Sequence, residues 1–407
     1  MNLIGACNLQ SYFLAEDIVW ILPNPLTLIE LTVDNTDSVP HYIMDAAIML
    51  SKGDAMECLQ TLNNAPVKYP DSLWGWIIAA TAHCQLKNYQ VALDVALRGQ
   101  SRVGDNTWLK DCLGVAYCGL HDYANAQKQF LAAVKLNIHN TNAILNLANL
   151  FLNLNHPDAA FQTVEQGLEK NPNCTEIRYL FVALHPAWTQ PLVGARLCLR
   201  LLKPADNDFL DLCFDNQSFM DDYNRNAVHH QTKLQLINNI KLNPQYGVLK
   251  HKSVNWIIEQ IGSSNDPTIS DQAIGIACLA DIQFSHQRAE ISIGLPDKTS
   301  RGNGVAIKCM LLIFDFAFNR IGLNKLTSLV YCDNPHSQRT TLTLGFSQEG
   351  FRPAHLFDVK NKRWLDVYEN GLLHADFRRN VRLAQLSKRF FGLDINHAAV
   401  KKTVFGQ

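Results

Sequence analysis

The stretch Ala289-Glu290-Ile291-Ser292-Ile293-Gly294-Leu295-Pro296, followed by Arg301-Gly302-Asn303-Gly304-Val305-Ala306, decides the fold. The first part reads as a strand. The second part opens an apolar run over 304–321 that reads as a helix. A strand that feeds a glycine loop and then a helix aims successive backbone N–H groups from the positive end of the helix dipole. That arrangement is an anion site suited to a pyrophosphate, and the glycines let a phosphate approach without a Cβ in the way. The lysine of a P-loop is missing, and so is the GxGxxG spacing.

Working outward, 195–202 alternates and reads as a strand, 204–222 as turn and helix, and 231–241 as a helix. The segments 254–261, 273–279 and 326–331 read as strands, and 337–344 as a short helix. The order β-α-α-β-β-β-α-β-α-β gives an α/β layout around one central mixed sheet.

The first half has a different period. Steps of 34 from position 39 give windows 39–72, 73–106, 107–140 and 141–174. The eighth residue of each is Ala46, Ala80, Gly114 and Ala148, and the twentieth is Cys58, Ala92, Ala126 and Ala160. Small residues belong where two antiparallel helices approach closely. Trp76, Leu113, Tyr117, Phe130, Leu147 and Phe151 flank them, and Pro70 and Pro172 close the first and last windows. Such a period marks a helical solenoid with a concave groove for peptides. The plainer uses of that surface are a homodimer interface or a rigid spacer. The stretch 185–191, with Pro186 and Pro191, reads as a boundary. The expected organisation is an N-terminal segment 1–38, an all-α repeat array 39–190, an α/β domain 191–380 and a tail 381–407. The basic residues from Arg378 to Arg389 read as a solvated helix face.

The chain has 407 residues, enough for two or three domains. With 47% hydrophobic and 18% charged residues, wholesale disorder is excluded. A net charge of -1 supplies no global field toward nucleic acid or an anionic membrane, so neither is expected as a partner. The 11 cysteines contain no CxxC pair and read as buried free thiols of a reducing compartment. Glu16 and Asp17 interrupt the apolar N-terminus, against a signal peptide, and Lys308, Asp315 and Arg320 interrupt the window 305–323, against a membrane span. A cytoplasmic protein is expected. His229-His230 lacks partners at ligand spacing, so no metal is expected.

Further motifs follow the glycine loop: Asn334-Pro335-His336-Ser337, then Leu344-Gly345-Phe346 and Glu349-Gly350. Together with 301–306 they resemble the GCN5-related N-acetyltransferase (GNAT) superfamily. Within it they look most like the branch that acetylates ribosomal protein N-termini. Arg196-Leu197, Leu199-Arg200, Asp206, Asp208 and the segment 364–368 fit that branch, and the resemblance spans about 194–375. The first half resembles the tetratricopeptide repeat, most clearly at Leu113-Gly114, Tyr117, Ala126, Phe130 and Ala133.

The resemblance implies an acetyl-coenzyme A-dependent N-acetyltransferase. By it, Arg301, Gly302, Asn303, Gly304, Val305 and Ala306 cradle the pyrophosphate, and backbone amides near Ile293 and Leu295 bind the thioester carbonyl. Asn334 contacts the pantetheine or steadies the helix that follows. Glu290 is the candidate base, with Asp281 and His286 behind it. Many members carry a tyrosine seven residues after the asparagine; here that position is Thr341. Ser337 is then the candidate proton donor to the thiolate, with a helix N-cap as its structural reading, and Tyr331 is the weaker alternative. The expected acceptor is a protein or peptide amine held with help from the repeats. The alternatives are a small amine, such as an amino sugar or antibiotic, and a non-catalytic interaction protein that senses coenzyme A.

Overall fold

The computed structural model describes residues 20–32, 39–64, 72–225, 248, 252–262, 271–297, 299, 304–358 and 361–397. The expected helix 231–241, the pair His229-His230 and the loop residues Arg301, Gly302 and Asn303 lie outside these. Two compact units meet in sequence at Phe181 and Val182.

The first unit is helical. A short helix α1 (Pro25–Thr32) precedes four antiparallel pairs: α2 (His41–Ser51) with α3 (Ala55–Asn63), α4 (Leu73–Gln85) with α5 (Tyr89–Val103), α6 (Thr107–Gly119) with α7 (Tyr123–Leu136), and α8 (Thr141–Asn153) with α9 (Pro157–Lys170). A further helix, α10 (Thr175–Leu184), follows. Ala46, Cys58, Ala80, Ala92, Ala126, Ala148 and Ala160 are all fully buried. Gly114 shows why small residues recur, because a Cβ there would lie 2.4 Å from the Phe130 ring. Each pair also turns at one left-handed residue. These are Gly53, Lys87, His121 and Asn155, with φ of 94°, 59°, 61° and 60°. The N-terminal segment does more than pack on the first pair. Ile29 joins the core of the first two pairs, and Trp20 and Leu22 lie on the core that holds Leu113, Phe130 and Leu147.

The second unit is one eight-stranded sheet in the order β1-β2-β3-β4-β5-β6-β8-β7. The strands are β1 (Leu192–Gly194), β2 (Leu197–Leu201), β3 (Val254–Gln260), β4 (Gln272–Gln283), β5 (Arg288–Gly294), β6 (Lys325–Tyr331), β7 (Ser347–Asp358) and β8 (Arg363–Leu373). Every neighbouring pair is antiparallel except β5 and β6. Helices α11 (Asn207–Asp215) and α12 (Gln217–Tyr223) precede β3. Helix α13 (Val305–Phe314), extended by a π-helical turn Asp315–Ile321, crosses from β5 to β6. Then come α14 (Pro335–Thr343), α15 (His374–Arg379) and α16 (Val381–Phe391).

Three sequence expectations shift. The alternating run 195–202 is a hairpin rather than one strand, since Ala195 and Arg196 take φ of 51° and 61° and turn β1 into β2. The expected boundary 185–191 is anchored in the second unit, because Trp188 is 1% exposed and packs edge-on against Phe316 at 5.3 Å. The expected tail from 381 is structural as far as 397. Leu383, Ala384 and Ser387 of α16 are buried, and Asn319 Nδ2 donates to the carbonyl of Ile395 at 2.9 Å. No described helix is long and apolar enough to cross a membrane.

Candidate active site

The single parallel pair builds the site. β5 and β6 share three rungs, Arg288 with Lys325, Ala289 with Leu326 and Glu290 with Thr327. Beyond Glu290 the ladder stops, although β5 continues to Gly294 and β6 to Tyr331. β5 stays paired with β4 over this stretch. Among the described residues, the four residues 291–294 therefore line a wedge without a strand partner on the β6 side, about 13 Å deep at about 3.3 Å per residue.

Side chains alternate along β5, so Glu290 and Ser292 share one face. That face receives the end of α12. The Tyr223 hydroxyl lies 3.4 Å from Ser292 Oγ, and Tyr223 stacks on Phe219 at 5.2 Å. Two residues later the backbone N–H of Arg225 donates to the Tyr331 hydroxyl at 3.2 Å. The Arg225 guanidinium lies over the Tyr331 ring at 4.7 Å and grips Asp333 with two bonds of 2.7 and 3.1 Å. Residues 223–225 thus bridge the wedge from one strand to the other. No motif marked them in the sequence, since the sidechain pattern of this polar segment has no periodic signal.

Glu290 is half-buried, and its carboxyl titrates above the usual range. Burial is the main cause and Asp281 adds to it; Arg288 and Arg352 oppose, and Glu369 adds a little more. Asp281 is tied to Arg288 at 2.9 Å. His286 lies in the turn before β5, at the opposite end of the strand from the wedge.

Asn334 caps α14, and its Oδ1 accepts from the backbone N–H of Ser337 at 3.1 Å. Asn334 is therefore the N-cap, and Ser337 sits three positions into the helix. Thr341 is buried within α14. Burial pushes the Tyr331 hydroxyl above its ordinary range, against the pull of Arg225.

The glycine loop ends at Gly304, whose φ of 70° is left-handed. Among the described residues, the atom nearest the position of an added Cβ is Phe390 Cζ, at 3.7 Å. Lys308 Nζ and the Arg389 guanidinium lie over the Phe390 ring, at 5.4 and 5.7 Å. The expected tail thus brings α16 and a cation beside the N-terminus of α13, where the dipole already favours an anion. Val305 is buried in the first turn, with Ala306 half-buried beside it. A helix N-terminus with cations beside it, next to a strand wedge, fits a long anionic cofactor.

Residues 196–347 match the Acetyltransferase (GNAT) domain family, and residues 119–181 match the Tetratricopeptide repeat family. The second unit carries a GNAT acetyltransferase domain, and the first carries tetratricopeptide-type repeats. The second unit is accordingly an acyltransferase domain of the GNAT type, a class whose cofactor is acetyl-coenzyme A. A similar curated protein is the uncharacterized N-acetyltransferase YoaA of Bacillus subtilis (strain 168). It is 26% identical over 174 residues, which are 42% of this chain and 92% of the relative. Among solved structures, a spermidine N-acetyltransferase from Vibrio cholerae in complex with CoA and spermine is 22% identical. It covers 45% of this chain and 98% of its own, with a TM-score of 0.37. A GNAT-family acetyltransferase from Bacillus anthracis is 16% identical, with 45% and 98% covered and a TM-score of 0.36.

Proposed function

We propose that the protein transfers an acetyl group from acetyl-coenzyme A to the amine of a protein or peptide, with the repeats helping to hold the acceptor. The observation that carries this reading is the wedge between β5 and β6 with Glu290 at its apex. The cofactor supplies an activated acyl carbon. The residues proposed to hold it are Arg301, Gly302, Asn303, Gly304, Val305 and Ala306 around the start of α13, with Ile293 and Leu295 on the β5 side and Asn334 at the end of β6. The last is already committed to capping α14, which supports the positioning half of its expected role.

An ammonium has no lone pair, so the acceptor must lose a proton before it attacks. Glu290 takes it, directly or through water. A half-buried carboxylate with a raised pKa is a stronger base than an exposed one, which suits the task. The attack is direct, with no acyl-enzyme. Ser337, in the first turn of α14, delivers the proton to the departing thiolate. Tyr331 is the alternative donor, because its hydroxyl is already placed at the wedge by the Arg225 amide.

One observation favours the small-amine reading: residues 20–22 of the chain already make the hydrogen bonds that the repeat surface offers at Asn146. The experiment that separates the two uses the full chain and labelled acetyl-coenzyme A against a peptide array and a panel of amino sugars and other small amines. Transfer to peptides that is lost in Glu290→Gln supports the proposal. Transfer confined to the small amines would replace its acceptor class, and no transfer to any amine would leave the non-catalytic reading.

A further inference from the structure

Asn146 is fully buried on α8 and gives both ends of its carboxamide to main chain. Its Oδ1 accepts from the Ile21 N–H at 2.8 Å, and its Nδ2 donates to the Ile21 carbonyl at 2.7 Å. One turn earlier, Asn142 Nδ2 donates to the Leu22 carbonyl at 3.3 Å. The Trp20 ring stacks on Phe130 at 6.3 Å. Residues 20–24 belong to no helix or strand, and the side chains of Trp20, Ile21 and Leu22 are only half-buried. The segment is held by its backbone, as a bound peptide is, with its side chains resting on an apolar surface.

The match is incomplete. Asn146 Nδ2 also donates to Asp111 Oδ1 at 3.0 Å, on α6 of the preceding pair. Asp111 is fully buried, and its Oδ2 has no hydrogen-bond partner among the described residues. A buried acceptor left without a donor is costly, and a segment native to this place would be expected to meet it. The residue types that recognise main chain are satisfied here, while the one that would recognise a donor is not.

We propose that Asp111, Asn142 and Asn146 form a peptide-binding site in the repeats, and that residues 20–22 fill it in cis as an exchangeable occupant. The partner is an extended peptide with an aromatic residue followed by two aliphatic ones, carrying a hydrogen-bond donor toward Asp111. This deepens the reading of the repeats as the acceptor-holding part and rests on that reading only for the use to which the peptide is put. A tethered segment acts at an effective concentration on the order of millimolar, so an outside peptide enters when it binds better or when the cis contacts are weakened.

The probe is a fluorescein-labelled synthetic peptide of residues 17–25, titrated by anisotropy into the full chain. Trp20→Ala/Leu22→Ala weakens the cis occupant without touching the site, and should bind the probe about tenfold tighter than the unaltered chain. Adding Asn146→Ala removes two backbone bonds and should cost about tenfold or more. Binding no tighter in the double variant, or unaffected by Asn146→Ala, would overturn the proposal. Should the variants fail to fold, hydrogen exchange on the unaltered protein decides. The Ile21 amide should exchange faster than the amides of α8, and faster again with excess unlabelled peptide. Exchange as slow as that of α8, unmoved by peptide, marks a fixed brace and overturns the proposal. Acetyl transfer is measured on the same samples. Binding without transfer keeps this site and counts against the proposed function, and transfer without binding does the reverse.

Discussion

Glu290 and Thr327 form the last rung of the parallel ladder between β5 and β6. One more rung would close the wedge over the glutamate, and one fewer would set it back from the apex. Because burial and Asp281 raise its pKa, Glu290 works as a base only above that raised value. The acid limb of kcat/KM in the unaltered enzyme should therefore lie above the usual carboxylate range. Glu290→Gln should lower kcat/KM by about 10²–10⁴-fold and flatten that limb. A variant whose pH profile keeps the limb assigns the base elsewhere.

Gly304→Asp places a β-carbon at a left-handed φ and a negative charge at the N-terminus of α13. Both terms oppose an anionic cofactor. Calorimetry with coenzyme A should show binding weakened by at least tenfold, with circular dichroism unchanged. Equal affinity in the folded variant would remove the 301–306 loop from the cofactor site.

Asp111 links the repeats to pH. Burial raises its pKa from 3.8 to about 7, with the Asn146 bond pulling the other way. Between those values the folded state holds a proton that the unfolded state has released. Stability should therefore fall as pH rises through that window, by about 1.4 kcal/mol per pH unit at most. Above about 7 both states are ionised and the cost is constant. Chemical denaturation at pH 5 and pH 8 should show the slope in the unaltered chain, and Asp111→Asn should flatten it.

Gly114→Ala puts a methyl group 2.4 Å from the Phe130 ring, in a core with no room to move it cheaply. Overpacking of this kind costs about 1–3 kcal/mol. Thermal unfolding of the repeats should drop by about 2–4 °C per kcal/mol. An unchanged Tm would show that Phe130 can swing away.

Much of the repeat architecture was legible, because closeness between helices is written in small residues at Ala46, Ala80, Gly114 and Ala148. The turns were not, although they keep the same period of 34: a glycine marks only Gly53, while Lys87, His121 and Asn155 take the same left-handed shape without one. Ala195-Arg196 hid β1 for the same reason, since neither residue is the glycine or asparagine that announces a two-residue hairpin. At the candidate site, the strand that carries Glu290 was readable from pattern. The bridge from Ser292 through Tyr223 and Arg225 to Tyr331 was not, because it joins residues more than 60 positions apart and depends on how α12 docks. Asn334 and Ser337 were readable as a pair, but which one caps the helix was fixed only by the hydrogen bond between them.

Three rungs are all the backbone ladder that joins β1–β5 to β6–β8. The sheet is thus two antiparallel leaves bound along a short spine. Its joint is a long-range step, because it waits for the α13 crossover to bring β6 beside β5. The strands that create the wedge are therefore joined to each other by three rungs, while each stays paired on its other side, β5 with β4 and β6 with β8. Fraying the spine by a single rung would deepen the opening by about 3.3 Å without disturbing either leaf.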